Sequence, residues 1–111
     1  MFVSTGGIEF DIKKPSILLM HGSGLTHIVW SLHEQFYASK GFNVLSIDLP
    51  GHGNSDGPAL KSIQEISNWV KSLMNKINIS KIIIVGHSQG CLVGIDSVSY
   101  THLTLPTILL V

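Results

Sequence analysis

The sequence predicts an α/β fold, built as a β-hairpin followed by a parallel βαβαβ unit and a helix after its last strand. Three observations carry that prediction. Apolar runs of strand length recur at Ser16–Met20, Asn43–Asp48 and residues 81–85; amphipathic segments separate them; and Gly-rich breaks follow each run directly. A parallel strand covered by helices on both faces reads as a continuous apolar run rather than an alternating one. Successive runs of this kind must be joined by right-handed crossovers through the helices between them.

Element by element, residues 2–4 and 8–11 flank Thr5, Gly6 and Gly7, where glycine can supply a positive φ, so the opening reads as a hairpin. Ser16–Met20 follows Pro15 as the first buried strand and is broken by His21, Gly22, Ser23 and Gly24. Residues 30–40 place Trp30, Leu32 or His33, Phe36 and Tyr37 at roughly helical spacing, with Gly41 as a stop. Asn43–Asp48 is the second buried strand, closed by the Pro- and Gly-rich residues 49–58. Ser62 followed by Glu65 forms a capping box ahead of Ile66, Trp69, Val70, Leu73 and Ile77. Residues 81–85 are the third buried strand and run directly into the motif GHSQG at 86–90.

Composition narrows the function classes. A hydrophobic fraction of 44% describes one globular unit rather than a disordered chain. Seven Lys balance seven acidic residues and there is no Arg. No basic face is therefore available to neutralise phosphates, and nucleic acid is not expected as a partner. A single cysteine, Cys91, excludes an intramolecular disulfide and a multi-thiolate zinc site. No cofactor and no metal are expected, and no protein partner is evident. The opening residues lack the apolar core of a secretory signal, which makes the cytoplasm the expected compartment. The apolar residues 103–111 are far shorter than the roughly 20 residues a spanning helix needs.

Chemistry is concentrated in GHSQG. A strand immediately before Gly86 and a helix immediately after Gly90 define a nucleophile elbow, in which Ser88 sits on a sharp turn with its hydroxyl exposed. Gly86 and Gly90 let strand and helix approach closely around it, with His87 inside the turn. The helix N-terminus behind Ser88 favours negative charge on a bound carbonyl oxygen. The second block is HGSG at residues 21–24, at the carboxyl edge of the first parallel strand and so on the same edge of the sheet. An oxyanion hole here takes one backbone N–H from Gln89 and one from this loop, assigned to Ser23 with Gly24 as the alternative. His21, at the strand end, is expected to hold the loop by hydrogen bonds, with Gly22 and Gly24 giving the loop its shape. Asp48, His52 and Ser55 are expected to hold theirs by Asx-type bonds.

These blocks, in this order, resemble the α/β-hydrolase superfamily over nearly the whole chain. The hairpin with its Gly pair, HGSG followed by Trp30, the run from Asp48 to Ser55, and GHSQG look most like the bacterial carboxylesterase, lipase and enol-lactonase branch. The resemblance implies a serine hydrolase that acts on an ester, thioester or lactone of a small-molecule acyl substrate. Alternatives on the same fold are lyase or haloperoxidase-type chemistry, or a non-catalytic binding protein.

In this fold the triad acid and base follow the serine in chain order. Only Asp96 and His102 do so here, and Asp96 lies about 12 Å along the expected helix at 1.5 Å per residue, too far to orient a histidine at Ser88. Residues 98–107 resemble the translation of a transposon-type sequencing adapter, codon for codon. The expected division is therefore a truncated domain over residues 1–97 and a non-native tail over 98–111, with the fragment itself inactive. The resemblance further implies that strand 81–85 loses its outer neighbour, because the strands after it are missing, and becomes an exposed edge.

Overall fold

A computed structural model of the chain describes residues 2–7, 9–22, 24–77, 82–87 and 107–110. In chain order these form strands β1 (Phe2–Ser4), β2 (Ser16–Met20) and β3 (Asn43–Asp48), then β4 (Ile83–His87) and β5 (Thr107–Leu110). A 3-10 turn, His27–Trp30, leads into helix α1 (Ser31–Ser39) between β2 and β3, and helix α2 (Ile63–Lys76) lies between β3 and β4. Among the described residues the sheet is five-stranded in the order β1-β3-β2-β4-β5. β2 is parallel to both β3 and β4, and β4 is parallel to β5. The α/β class and the parallel βαβαβ unit are thus present.

β2 is the axis of the molecule because both of its faces are covered. Leu18 and Met20 face α2 and pack with Leu45, Ile47, Ile66, Val70, Leu73, Met74 and Ile84. Ile17 and Leu19 face the other way, with Trp30, Val44 and Val85. Alternation along each strand feeds the two layers from one apolar run, which is why these runs show no polar face. Helix α2 is fixed at its start by Ser62, whose hydroxyl accepts the Glu65 N–H at 3.1 Å. The Glu65 carboxylate bonds the N–H of Lys61 at 2.9 Å rather than that of Ser62, so the box closes one residue early.

Three expectations are corrected. Residues 2–4 do not form a hairpin with the described residues 9–11 of the expected 8–11 segment. β1 pairs antiparallel with β3, Phe2 opposite Asp48 and Ser4 opposite Ser46, and residues 9–11 lie in no strand. Gly6 and Gly7 do turn the chain with φ of 67° and 77°. The returning segment is then held by side chains instead of a ladder: Asn43 Nδ2 donates to the carbonyl oxygens of Asp11 and Lys14 at 2.7 and 3.1 Å, and Asn43 Oδ1 accepts the Asp11 N–H at 2.9 Å.

The buried face of α1 also differs from the expected one. Leu32 is 78% exposed and Phe36 56% exposed, whereas Glu34 is buried. Glu34 Oε1 accepts the Ser4 hydroxyl at 2.5 Å and the Gly6 N–H at 3.0 Å, so a carboxylate ties the N-terminal turn onto the helix. A Cβ at Gly6 would come within 3.4 Å of Ala38 Cβ and of the Glu34 carbonyl oxygen, which leaves little room for any other residue.

Finally, β4 is not an edge. Thr107–Leu110, from the segment read as a tail, lies beside it in parallel register. The helix expected after GHSQG falls outside the described residues, and no described helix is long and apolar enough to cross a membrane.

Candidate active site

Three strands deliver their carboxyl ends to one edge of the sheet. β2 ends at Met20 and passes into His21 and Gly22; β3 ends at Asp48 and passes into Leu49 and Pro50; β4 ends at His87, the residue before Ser88. Of the sequence-predicted site residues, His21, Gly22, Gly24, Gly86 and His87 are described, and Gly86 and His87 form the last two positions of β4. Ser23, Ser88, Gln89 and Gly90 lie outside the described residues.

The loops after β2 and β3 are bound to each other through two imidazoles used reciprocally. His21, from the first loop, lies in line with β2 and is completely buried. Its Nδ1 is 2.7 Å from the Gly22 carbonyl oxygen, and its Nε2 is 3.0 Å from the Leu49 N–H in the second loop. A carbonyl can only accept and an amide N–H can only donate, so Nδ1 carries the proton and the ring is neutral. Burial pushes the His21 pKa below its ordinary value, against the opposing pull of the Gly22 hydrogen bond. His52, from the second loop, mirrors this arrangement. Its Nδ1 donates to the Pro50 carbonyl at 3.0 Å and its Nε2 accepts the Gly24 N–H of the first loop at 3.1 Å. The two rings lie 5.0 Å apart between centroids.

Asp48 is the anchor beneath both loops. Its side chain is fully buried. Oδ1 accepts the His27 N–H at 2.7 Å and His27 Nδ1 at 2.9 Å, while Oδ2 accepts the Asn54 N–H at 2.9 Å. Ser55 donates its hydroxyl to the Asp48 carbonyl at 2.5 Å. Burial alone would raise the Asp48 carboxyl, but the bonds from Asn54 and from the main chain and ring of His27 outweigh it and hold the pKa below the usual value. The loop passes so close at Gly53, where φ is 51°, that a Cβ there would overlap the Asp48 carboxylate.

This geometry bears on roles. Both nitrogens of His21 and of His52 are engaged with main-chain groups, so neither ring is directed at a substrate. The Gly24 N–H is committed to His52. Asp48, His52 and Ser55 do not form a triad among themselves, since each bonds the loops instead. His87 closes β4 on the face shared with Ile83 and Val85, and its buried Nδ1 has no partner among the described residues. No group of three or more His, Cys, Asp or Glu side chains suited to a metal ion occurs among the described residues.

Sequence reasoning missed His27 and its bond to Asp48. A sequence signal existed in Thr26, whose hydroxyl caps the 3-10 turn through the Ile28 N–H at 3.2 Å and so fixes the start of an element at His27.

The profile of the alpha/beta hydrolase family matches residues 17–111. Over 78 residues the chain is 31% identical to (E)-2-((N-methylformamido)methylene)succinate hydrolase of Acinetobacter baylyi, covering 69% of this chain and 29% of that protein. It is 28% identical over 99 residues to Epoxide hydrolase 3 of Siraitia grosvenorii, covering 83% and 31%. Its fold is similar to a carboxylesterase structure from Nitrososphaera gargenis, with a TM-score of 0.83 at 22% identity over 91% of this chain and 38% of that one. Epoxide Hydrolase A from Mycobacterium thermoresistibile gives 0.81 at 21% identity over 96% and 37%. The chain spans less than a third of the length of these two curated relatives.

Proposed function

Because this chain belongs to the alpha/beta hydrolase family, we propose that it carries the nucleophile of a serine hydrolase, with Ser88 forming an acyl-enzyme from an ester, thioester or lactone. The observation that supports the reading is the continuation of β4 through Gly86 and His87, the two residues that precede Ser88 in the motif. In the proposed reaction Ser88 Oγ attacks the acyl carbon, its proton passes to a base, and the alkoxide, thiolate or ring oxygen leaves protonated. Water then cleaves the acyl-serine ester. Backbone N–H groups of Gln89 and of the loop after β2 stabilise the oxyanion. Since the Gly24 N–H is already given to His52, Ser23 is favoured over Gly24 as the loop donor. The acid and base of the triad belong after Ser88 in chain order, so activity is expected of a longer chain that carries them.

A second reading is epoxide hydrolysis, favoured by relatives bearing that name. The identity of the nucleophile argues against it. A serine that opens an epoxide is left as an ether, which water does not cleave, whereas a serine acylated by an ester is left as an ester, which it does. The test uses the full-length protein and a fluorophosphonate probe. Ser88 should be labelled, and Ser88→Ala should abolish labelling and lower kcat by on the order of 10⁴-fold or more with KM nearly unchanged. Labelling retained in the alanine variant, or turnover of epoxides without turnover of esters, refutes the assignment.

A further inference from the structure

We propose that His52 is a positioning residue for acyl transfer, holding the shape of the loop after β2 from which an oxyanion donor is taken. The inference rests on the reading of Ser88 as an acylated nucleophile. The loop has little packing to hold it. Gly24 is exposed, and a Cβ added there would meet no atom within 4 Å. Its φ of 76° lies in the left-handed region. Hydrogen bonds must therefore set the course of the chain. The Leu25 N–H closes a turn on the Gly22 carbonyl at 3.2 Å, and the same carbonyl accepts His21 Nδ1 at 2.7 Å. The Gly24 N–H donates to His52 Nε2 at 3.1 Å. In sequence the Gly22 carbonyl and the Gly24 N–H bracket Ser23, so the assigned donor has an imidazole-bound group on either side of it.

His52 can act as a fixed point because its own loop is braced. Its N–H donates to the Leu49 carbonyl at 2.9 Å, its carbonyl accepts the Ser55 N–H at 3.0 Å, and its Nδ1 donates to the Pro50 carbonyl at 3.0 Å. Gly51 runs so near Ala59 that a Cβ there would come within 2.4 Å of the Ala59 nitrogen. With the proton on Nδ1, Nε2 presents a lone pair, and the bond from Gly24 belongs to the neutral ring. A catalytic donor has to be held within about 0.5 Å of its productive place. A misplacement of about 1 Å costs on the order of 10²-fold in rate. An exposed turn without packing takes that precision from His52.

The experiment compares His52→Phe and His52→Gln in the full-length protein, using an ester substrate and a trifluoromethyl ketone. Phe keeps a ring beside His21 but accepts nothing, whereas Gln returns an acceptor. Ser88 Oγ adds to the ketone carbon, the π pair becomes an oxyanion and the serine proton passes to the base, so the Ki reads the oxyanion hole. His52→Phe should lower kcat about 10- to 100-fold with KM within about twofold. The Ki should rise by the factor that kcat/KM falls, and His52→Gln should recover most of both losses. Amide exchange at Leu18 and Leu45 should match the unsubstituted protein, which separates positioning from loss of fold. Where His52→Phe does not fold, His52→Ala replaces it; failure of both to fold assigns His52 to stability and overturns the proposal. It is equally overturned by an unchanged kcat, by a rise in KM alone, by a Ki that stays fixed while kcat falls, or by a His52→Gln no better than His52→Phe. A wild-type Ser88 that takes no fluorophosphonate removes the acyl-enzyme reading and this proposal together, whereas a labelled Ser88 with indifferent His52 variants removes only the positioning role.

Discussion

Asp48 has no exposed side-chain surface, yet its carboxyl stays below its ordinary pKa, because three donors converge on two oxygens. Asp48→Ala leaves the His27 N–H, His27 Nδ1 and the Asn54 N–H without their acceptor, and should cost about 3 to 5 kcal/mol in urea unfolding. The sign of its pH dependence follows from linkage. A carboxyl whose folded pKa is depressed contributes fully above its unfolded value, about 3.9, and loses that contribution as pH falls through the folded value. His21 acts earlier on the same scale. Its folded pKa is lowered by burial, so the unfolded chain takes up a proton first, and stability declines as pH falls below about 6.5 until the folded ring also protonates. Unfolding free energies measured from pH 8 to pH 3 should show both declines, with the upper one missing in His21→Asn and the lower one missing in Asp48→Asn. An upper decline of unchanged size in His21→Asn would show that another group is responsible.

At the scale of the element, legibility followed the number of faces a segment must satisfy. β2 and β3 were readable to the residue because an apolar run buried on both sides has no competing interpretation. β4 starts and ends two residues later than the sequence reading, since Ile82 continues the apolar pattern of Ile83–Val85 and Gly86 and His87 look like turn residues although they still pair with β2 or β5. Over residues 30–40 periodicity finds Trp30 and Tyr37, which do pack into the core, but it counts only apolar residues and so misses Glu34, whose partners Ser4 and Gly6 lie about thirty positions away. The hairpin failed for the same reason: the partner of β1 is β3, which local turn chemistry cannot reveal. Glu34→Ala should therefore cost about 2 to 3 kcal/mol by stranding the Ser4 hydroxyl and the Gly6 N–H. It should also speed amide exchange in β1 without affecting α2. By contrast Ser62→Ala, which removes a cap on an exposed turn, should cost only about 1 kcal/mol. Equal losses from the two substitutions would mean that the Glu34 contacts are no stronger than a surface cap.

For the whole molecule, the strand order sets a gradient of stability. Among the described residues β2 lies at the centre of the sheet with an apolar layer on each face, while β1 and β5 are the outermost strands. Native-state hydrogen exchange should find the slowest amides in β2, intermediate ones in β3 and β4, and the fastest in β1 and β5. Simultaneous opening of all five strands would indicate a single cooperative unit without that gradient. The candidate site was legible as a set of motifs but not as a structure. HGSG and the run from Asp48 to Ser55 could each be recognised from their own residues, whereas the bonds that unite them span 28 positions. Those bonds have a consequence for transplantation. Each loop lends an imidazole to the other's main chain, so neither keeps its shape when moved alone into a foreign scaffold. Residues 21–27 and 48–55 form one portable cassette, and a graft of either without its counterpart carries an imidazole with nothing to hold.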